Sequence, residues 1–227
     1  MTTKEFRREL HRYPELSFEE HRTAEFISEQ LGALGVEHQP IASAGVLARI
    51  EGRRGNPKRC VVLRADIDAL PVCERTGAEF ASQNEGVMHA CGHDCHAAIL
   101  FGVLKRLSEN PDFEGTLFGV FQPGEELNPG GARKVLAENP FEGYNVAAVI
   151  GEHVDADLEV GEIGFCPGKF MASADELHFK VKGVGGHAAM RERIKDPVVA
   201  ISDLILRLNA FNSDVCVVSI GNVVAEG

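Results

Sequence analysis

A stretch of nine residues, Met88–His96, contains three histidines, two cysteines and one aspartate. Cys91 and His93 flank a glycine that lets the backbone turn, so both side chains can point into one small volume. A thiolate and an imidazole together suit Zn²⁺ or a related transition metal, and Asp94 is placed to orient a ligand histidine. The alternative is a group of buried thiols and surface histidines at a helix start. The density of ligand types favours the metal site.

Two adjacent carboxylates, Glu125 and Glu126, follow a predicted strand at Thr116–Phe121. Parallel α/β sheets place their sites just beyond the carboxyl ends of their strands. In such a pair, one carboxylate can ligate a metal ion while the other moves the proton of a metal-bound water. In a chain with 34 acidic residues, the pair alone would indicate only an acidic loop.

A third group, Glu152 and His153, follows a predicted strand at Val146–Ile150. One histidine after a strand is more often an ordinary loop side chain than a ligand. Groups of potential ligands after three successive elements of one sheet are a much stronger indication together, because those elements deliver them to the same edge. We therefore expect the three groups to converge.

A glycine-rich segment, Gly183–Ala189, surrounds His187. It matches neither the Gly-x-Gly-x-x-Gly fingerprint nor the Lys-Ser/Thr ending of a phosphate-binding loop, which excludes a nucleotide loop. The glycines predict a tight turn that presents His187 outward. This histidine is either an ordinary exposed residue or a group that reaches a substrate across a cleft.

The elements that position these residues alternate between strand and helix, which predicts an α/β fold with a mostly parallel sheet flanked by helices. Pro14 ends a first amphipathic helix, Ser17–Glu20 offers a capping box for a second, and Gly35 is suited to close that second helix. The predicted strands are Gly45–Ile50, Cys60–Ala65, Thr116–Phe121 and Val146–Ile150, and the predicted helices are residues 3–13, a helix containing Ala24–Leu34, Ala97–Leu107 and Gly131–Glu138.

The pattern changes in the last part of the chain. Alternating polar and apolar residues predict a half-exposed strand at Leu177–Val181, which is followed by a predicted helix at Val198–Leu208 and a predicted strand at Val215–Ile220. We therefore divide the chain into a metal-binding α/β domain, residues 1–168, and the start of a smaller α+β domain, residues 169–227.

The composition limits the partners and the location. The chain has 23 Lys and Arg against 34 Asp and Glu, and its net charge of −11 argues against binding to a nucleic-acid backbone. With 44% hydrophobic and 25% charged residues, it is typical of a globular protein. We expect no secretory signal, because the first nine residues contain no apolar core, and no run approaches the ~20 apolar residues of a membrane span. We expect a cytoplasmic protein with no membrane partner and with mostly reduced cysteines.

Several long motifs, in the same order, resemble the M20 metallopeptidase family. They are similar in particular to its amidohydrolase branch of N-acyl-amino-acid hydrolases, auxin-conjugate hydrolases and N-acetyl-diaminopimelate deacetylases. The resemblance covers nearly all of this chain and a little over half of a full family member. The motifs are Leu63–Pro71 (Leu-Arg-Ala-Asp-Ile-Asp-Ala-Leu-Pro), Met88–Asp94, Gln122–Glu126, Gly151–His153 and Gly185–Ala189.

The resemblance implies a catalytic role for residues 1–168 and a cofactor of two divalent metal ions. Zinc or manganese is favoured over cobalt or nickel. Glu125 would be the general base and acid of the reaction. The ligands of the two ions would be Cys91, His93, Glu126 and His153.

The resemblance also implies a lid or dimerisation role for residues 169–227. His187, on this lid, would stabilise the oxyanion or hold the substrate, often across a homodimer interface. The Asp66–Pro71 segment would contact the metal ligands and hold them in place without binding the ions itself. Family members return from the lid and supply one more histidine ligand near the C-terminus, whereas this chain ends at Gly227, so we expect the C-terminal part to be missing. The chain also has Arg191-Glu192 where the family usually has a proline and a histidine.

We therefore expect metal-dependent hydrolysis of the amide bond of N-acyl amino acids, dipeptides or other short peptides. Glu125 would take a proton from a metal-activated water and give it to the leaving amine. The alternative is a catalytically impaired metal-binding or interaction remnant of this family. A thiol redox module is less well supported, because Cys91 and Cys95 do not form the Cys-x-x-Cys pairing expected of one.

Overall fold

The computed structural model describes residues 1–225 and contains a five-stranded sheet flanked by helices, which confirms the predicted α/β class. A short 3₁₀ helix covers Arg191–Arg193. The helices are α1 (Thr3–Arg12), α2 (His21–Ala33), α3 (His93–Glu109), α4 (Gly131–Ala137) and α5 (Pro197–Asn209), and the strands are β1 (Glu37–Ile41), β2 (Gly45–Glu51), β3 (Arg59–Asp66), β4 (Thr116–Gln122) and β5 (Asn145–Gly151).

The strands are ordered β1-β2-β4-β3-β5. β3 lies between β4 and β5 and is parallel to both, while β2 is antiparallel to β4, and β1 is antiparallel to β2. β1 escaped prediction because polar residues and Pro40 precede Ile41, the one buried side chain of the strand. A proline is tolerated there because β1 forms an edge of the sheet. The three parallel strands all end at one edge.

Alternate side chains of the central strands face two separate cores. On one face, Phe121 belongs to a cluster with Phe6 of α1 and Phe101 of α3. The rings of Phe6 and Phe101 stack with their centroids 4.2 Å apart. On the other face, Phe118 belongs to a second cluster with Val135 of α4. Helices α1, α2 and α3 therefore cover one face of the sheet, and α4 covers part of the other.

The start of α2 differs from the prediction, while its end agrees with it. The capping box expected at Ser17–Glu20 is not formed, because Glu20 is the N-cap residue and its side chain makes no capping hydrogen bond. The Ser17 hydroxyl instead donates to Asp68 at 2.7 Å. Gly35 ends the helix region with a left-handed φ of 69°, as predicted.

Helix α3 begins at His93 rather than at the predicted Ala97. Gly92 precedes it with a left-handed φ of 93°. His93, Asp94 and His96 all lie in its first turns and are buried. The apolar pattern misses this start because polar residues occupy the buried positions there. The N-terminus of α3 therefore carries side chains of a polar site rather than of the apolar core.

The chain forms two compact units, Met1–Gly168 and Lys169–Gly227. In the second unit, α5 forms as predicted. The strands predicted at Leu177–Val181 and Val215–Ile220 were wrong: a strand needs a hydrogen-bonded neighbour along its length, and neither segment has one among residues 1–225. In the same described range, no helix combines the length and the apolar character needed to cross a membrane.

Two leucines of matched size test the core assignment. Leu31 of α2 is fully buried, whereas Leu136 of α4 is 65% exposed. We expect Leu31→Ala to lower the free energy of unfolding by about 2–5 kcal/mol, because it removes buried apolar atoms and leaves a cavity. Leu136→Ala should change it by less than about 0.5 kcal/mol. Equal effects of the two substitutions in urea unfolding would contradict the assignment.

Candidate metal centre

The parallel strands bring the candidate residues to one edge of the sheet. Glu125 and Glu126 follow β4, and His153 follows β5. Cys91 and His93 lie at the start of α3, the helix that packs against β3. The three groups thus come from different parts of the sequence into one region.

The ligand atoms of these residues lie close together. The Sγ atom of Cys91 is 3.4 Å from Nε2 of His153. Nε2 of His93 is 3.7 Å from Oε1 of Glu126 and 3.9 Å from Oε2 of Glu125. The ligand atoms of Cys91, His93 and His153 all lie within 4.8 Å of one another, and so do those of His93, Glu125 and Glu126. His93 therefore joins the two groups.

The donor set fits a cation. Nε2 of His93 and Oε1 of Glu126 are buried and have no hydrogen-bond partner among the described residues. Buried polar atoms without partners are costly, and a cation between these two would satisfy both. Burial and the charge of Glu126 raise the pKa of Cys91 to about 12. The thiolate, which is the form that ligates metals, therefore needs a positive charge beside it.

Asp68 fixes the orientation of His93. It accepts a hydrogen bond from Nδ1 of His93 at 3.2 Å, which leaves a free lone pair on Nε2. It also accepts hydrogen bonds from the backbone N–H of Glu126 at 2.9 Å and from the Ser17 hydroxyl. Burial alone would raise the pKa of Asp68, but these hydrogen bonds lower it to about 2. Asp68 thus stays ionised and holds His93 and Glu126 relative to each other.

The expectation that Asp94 orients a ligand histidine was wrong. Asp94 accepts a hydrogen bond from Nδ1 of His11 at 2.7 Å and forms an ion pair with Nε of Arg7 at 2.6 Å, and both partners belong to α1. Consecutive residues of a helix point about 100° apart, so Asp94 cannot follow His93 toward the sheet edge. It attaches the first turn of α3 to α1 instead.

His96 belongs to the site, although the spacing of the ligand types did not single it out. Its Nδ1 donates to Asp66 at 2.6 Å, and its Nε2 accepts from the backbone N–H of Val154 at 3.0 Å. Asp66, His93 and His96 also have ligand atoms within 4.8 Å of one another, but both ring nitrogens of His96 are already engaged by the protein. His96 therefore attaches the segment after His153 to α3. Its position one helical turn after His93 was the available signal.

His187 lies in the second unit and is exposed. A turn starts at this residue, closed by a hydrogen bond from the Met190 N–H to the His187 carbonyl at 2.8 Å. The ring Nδ1 accepts a hydrogen bond from the backbone N–H of Ala189 at 3.2 Å. The role of His187 at a substrate stays a prediction.

Gly92 allows the segment that carries His153 to approach α3. It has a left-handed φ of 93°, and a Cβ atom there would overlap the Val154 side chain. Gly86 is also left-handed, with a φ of 77°, but no atom of the residues that the structure describes lies within 4 Å of a Cβ placed there. We expect Gly92→Ala to lower the free energy of unfolding of the metal-free protein by about 1–3 kcal/mol more than Gly86→Ala, because only the former adds a clash. Chemical denaturation measures both, and equal losses would contradict the close approach of Val154.

The chain is similar in sequence to proteins named as a deacetylase and as an amidohydrolase. It is 43% identical over 209 residues to the N-acetyl-L-cysteine deacetylase of Bacillus subtilis (strain 168), a match that covers 91% of this chain and 49% of that protein. It is 42% identical over 205 residues to the N-acyl-L-amino acid amidohydrolase of Geobacillus stearothermophilus, with 89% and 54% covered. The chain thus spans about half the length of these curated relatives.

A solved structure and a family model both match this chain to peptidase family M20. A Bacillus subtilis protein described as a dinuclear metal-binding peptidase of the M20 family matches with a TM-score of 0.66 and 42% identity, covering 70% of this chain and 44% of that chain. Residues 62–219 match the model of peptidase family M20/M25/M40. Since this match includes more than half of the sequence, together with the edge of the sheet where the ligand atoms meet, the chain belongs to peptidase family M20/M25/M40.

Proposed function

We propose that this protein hydrolyses the amide bond of N-acyl amino acids or short peptides, with Cys91, His93, Glu126 and His153 holding two divalent metal ions. The observation that carries the proposal is a pair of buried ligand atoms, on His93 and Glu126, that find no hydrogen-bond partner in the described part of the chain and lie beside the Cys91–His153 pair. The names of the relatives support the reaction class: one is a deacetylase and another an amidohydrolase. The solved relative from Bacillus subtilis is described as dinuclear, which supports two ions.

The bound ions would lower the pKa of a water molecule from 15.7 toward about 7 and polarise the amide carbonyl. One thiolate, two imidazoles and one carboxylate accept several first-row metals, of which we favour zinc or manganese. Cys91 must lose its proton to bind, so metal uptake should release protons. His93 is oriented for binding by Asp68, and the segment after His153 is held by His96.

Glu125 is the candidate general base and acid. Its side chain is 41% exposed, so a substrate and water can reach it, and its Oε2 is 3.9 Å from Nε2 of His93. In the metal-free chain, burial and the neighbouring charge of Glu126 raise the pKa of Glu125 above its usual value. In the proposed reaction, Glu125 accepts a proton from the attacking water and gives it to the amine as the C–N bond breaks. The products are a carboxylic acid and an amine, such as a free amino acid.

Other parts of the proposal rest on the sequence. We infer that His187 stabilises the tetrahedral oxyanion or holds the substrate, a contact of a kind worth about 3–4 kcal/mol. A homodimer formed through residues 169–227 and a cytoplasmic location belong to the same set of inferences. The second candidate function is a protein of this family that binds metal without hydrolysis, because the unpartnered ligand atoms of His93 and Glu126 in residues 1–225 account for metal binding alone. Hydrolysis of N-acetyl amino acids by the 227-residue chain, with Zn²⁺, Mn²⁺ or Co²⁺ added, would eliminate this second candidate.

Metal binding is tested first with two cysteine variants. We expect about two equivalents of Zn²⁺ per chain by calorimetry and elemental analysis. Cys91→Ala should remove at least one equivalent or weaken it strongly, because it removes a ligand. Cys73→Ala, which changes an exposed free cysteine, should leave binding unchanged. Binding by the Cys91 variant that equals the parent's would remove this thiol from the centre.

Glu125→Gln separates catalysis from metal binding. The amide cannot accept the proton, so turnover of an N-acetyl amino acid should fall by about 10²–10⁴-fold while the metal content stays unchanged. The matched control is Glu142→Gln, at an exposed position, for which we expect parental turnover. A Glu125→Gln variant with the parent's rate would exclude Glu125 as the base.

A further inference from the structure

The segment Ser17–Glu20, predicted to be a helix cap, instead contacts the loop Gly124–Glu126. Glu20 is the central contact. Its side chain is fully buried, although glutamate is rarely buried without a purpose. Its Oε1 accepts a hydrogen bond from the backbone N–H of Gly124 at 2.6 Å. Gly124 directly precedes Glu125, the candidate base.

Phe18 adds a second contact to the same glycine. A Cβ atom on Gly124 would overlap the Phe18 ring, so the ring lies directly against this backbone. The ring is also in contact with Lys134, whose Nζ is 3.4 Å from the ring centroid. Phe18 itself has a φ of 65°, which is unusual for a residue with a side chain. Such strain persists where surrounding contacts hold it, and it concentrates near functional sites.

Ser17 adds a third contact, through Asp68. Its hydroxyl donates to Oδ2 of Asp68, the same oxygen that accepts a hydrogen bond from the backbone N–H of Glu126. The segment therefore holds the loop at both ends: Glu20 at Gly124, and Ser17 through Asp68 at Glu126. Glu125 lies between these two attachments.

We propose that Glu20 is a positioning residue that fixes the Gly124–Glu126 loop and thereby sets the places of Glu125 and Glu126 at the candidate metal centre. The part of this inference that concerns the metal centre rests on the proposed function. Its structural part, the attachment of the loop by Glu20, is independent of metal and of activity. Burial raises the pKa of Glu20 to about 7, so its neutral form is readily populated. A glutamine, which is neutral and keeps a carbonyl oxygen at the same place, is thus a conservative replacement.

The test compares Glu20→Met, Glu20→Gln and Glu19→Ala. Methionine is similar in size to glutamate but lacks the oxygen that accepts the hydrogen bond from Gly124, whereas glutamine keeps such an oxygen. Glu19 is the exposed neighbour of Glu20, and Glu19→Ala serves as the control. In the metal-free protein, we expect the backbone amide of Gly124 to exchange with solvent about tenfold faster or more in Glu20→Met, because its hydrogen bond is lost. Amides in the middle of β4, such as that of Val120, should keep the parent's exchange rate. The other two variants should match the parent at Gly124.

The second readout is the affinity for Zn²⁺ measured by calorimetry. Substitution of residues that hold metal ligands in place commonly weakens metal affinity by about 10- to 100-fold. We expect a loss of Zn²⁺ affinity in this range for Glu20→Met and the parent's affinity for Glu20→Gln. Unchanged exchange at Gly124 in Glu20→Met would overturn the proposal, as would faster exchange spread equally over Gly124 and Val120. If Glu20→Met does not fold, Glu20→Asp, whose carboxylate is one methylene short of Gly124, is measured in its place with the same expectations. A parent that binds no Zn²⁺ would refute the proposed function, while the exchange result would still decide the attachment.

Discussion

The parallel register of three strands is the feature that makes the candidate site possible. Because β3 is parallel to both β4 and β5, the chain leaves all three strands at the same edge of the sheet. The same edge therefore carries Asp66 at the end of β3, Glu126 after β4 and His153 after β5. Helix α3 places His93 between these residues. A shift of one residue in the β3 pairing would turn Asp66 to the opposite face and separate it from His96.

The site concentrates negative charge that the protein only partly offsets. Asp66 and Asp68 are both buried, and carboxylates that share a low-dielectric region repel one another. Arg64 pairs with Asp66 at 2.7 Å, and Nδ1 of His93 donates to Asp68. The supports of the site are thus satisfied within the protein. Within the described residues 1–225, the ligand atoms Nε2 of His93 and Oε1 of Glu126 have no hydrogen-bond partner, and a divalent cation would satisfy both.

Much of the fold was predictable because β3 and β4 each contain an uninterrupted apolar run, Cys60–Leu63 and Leu117–Phe121. The ligand groups were found because each stands directly after a strand or before a helix. The contacts of individual side chains were not predictable, since the spacing of residues along the chain does not determine which neighbours a side chain meets in the fold. Asp94 therefore received the role that Asp68 holds, His96 was overlooked, and Glu20 was assigned to a helix cap although it holds the Gly124 backbone. The strand predicted at Leu177–Val181 failed because strand pairing depends on a neighbour that a local pattern does not reveal.

A crystal structure of the zinc-loaded protein, with anomalous difference density at the zinc absorption edge, would identify the metal ligands most directly. We expect zinc at the sheet edge, with one Zn–S distance of about 2.3 Å to Cys91 and Zn–N distances of about 2.0–2.1 Å to Nε2 of His93 and of His153. His96 should keep its bonds to Asp66 and Val154. Zinc bound by His96 in place of His93, or zinc found only away from Cys91, would contradict the proposed ligand set.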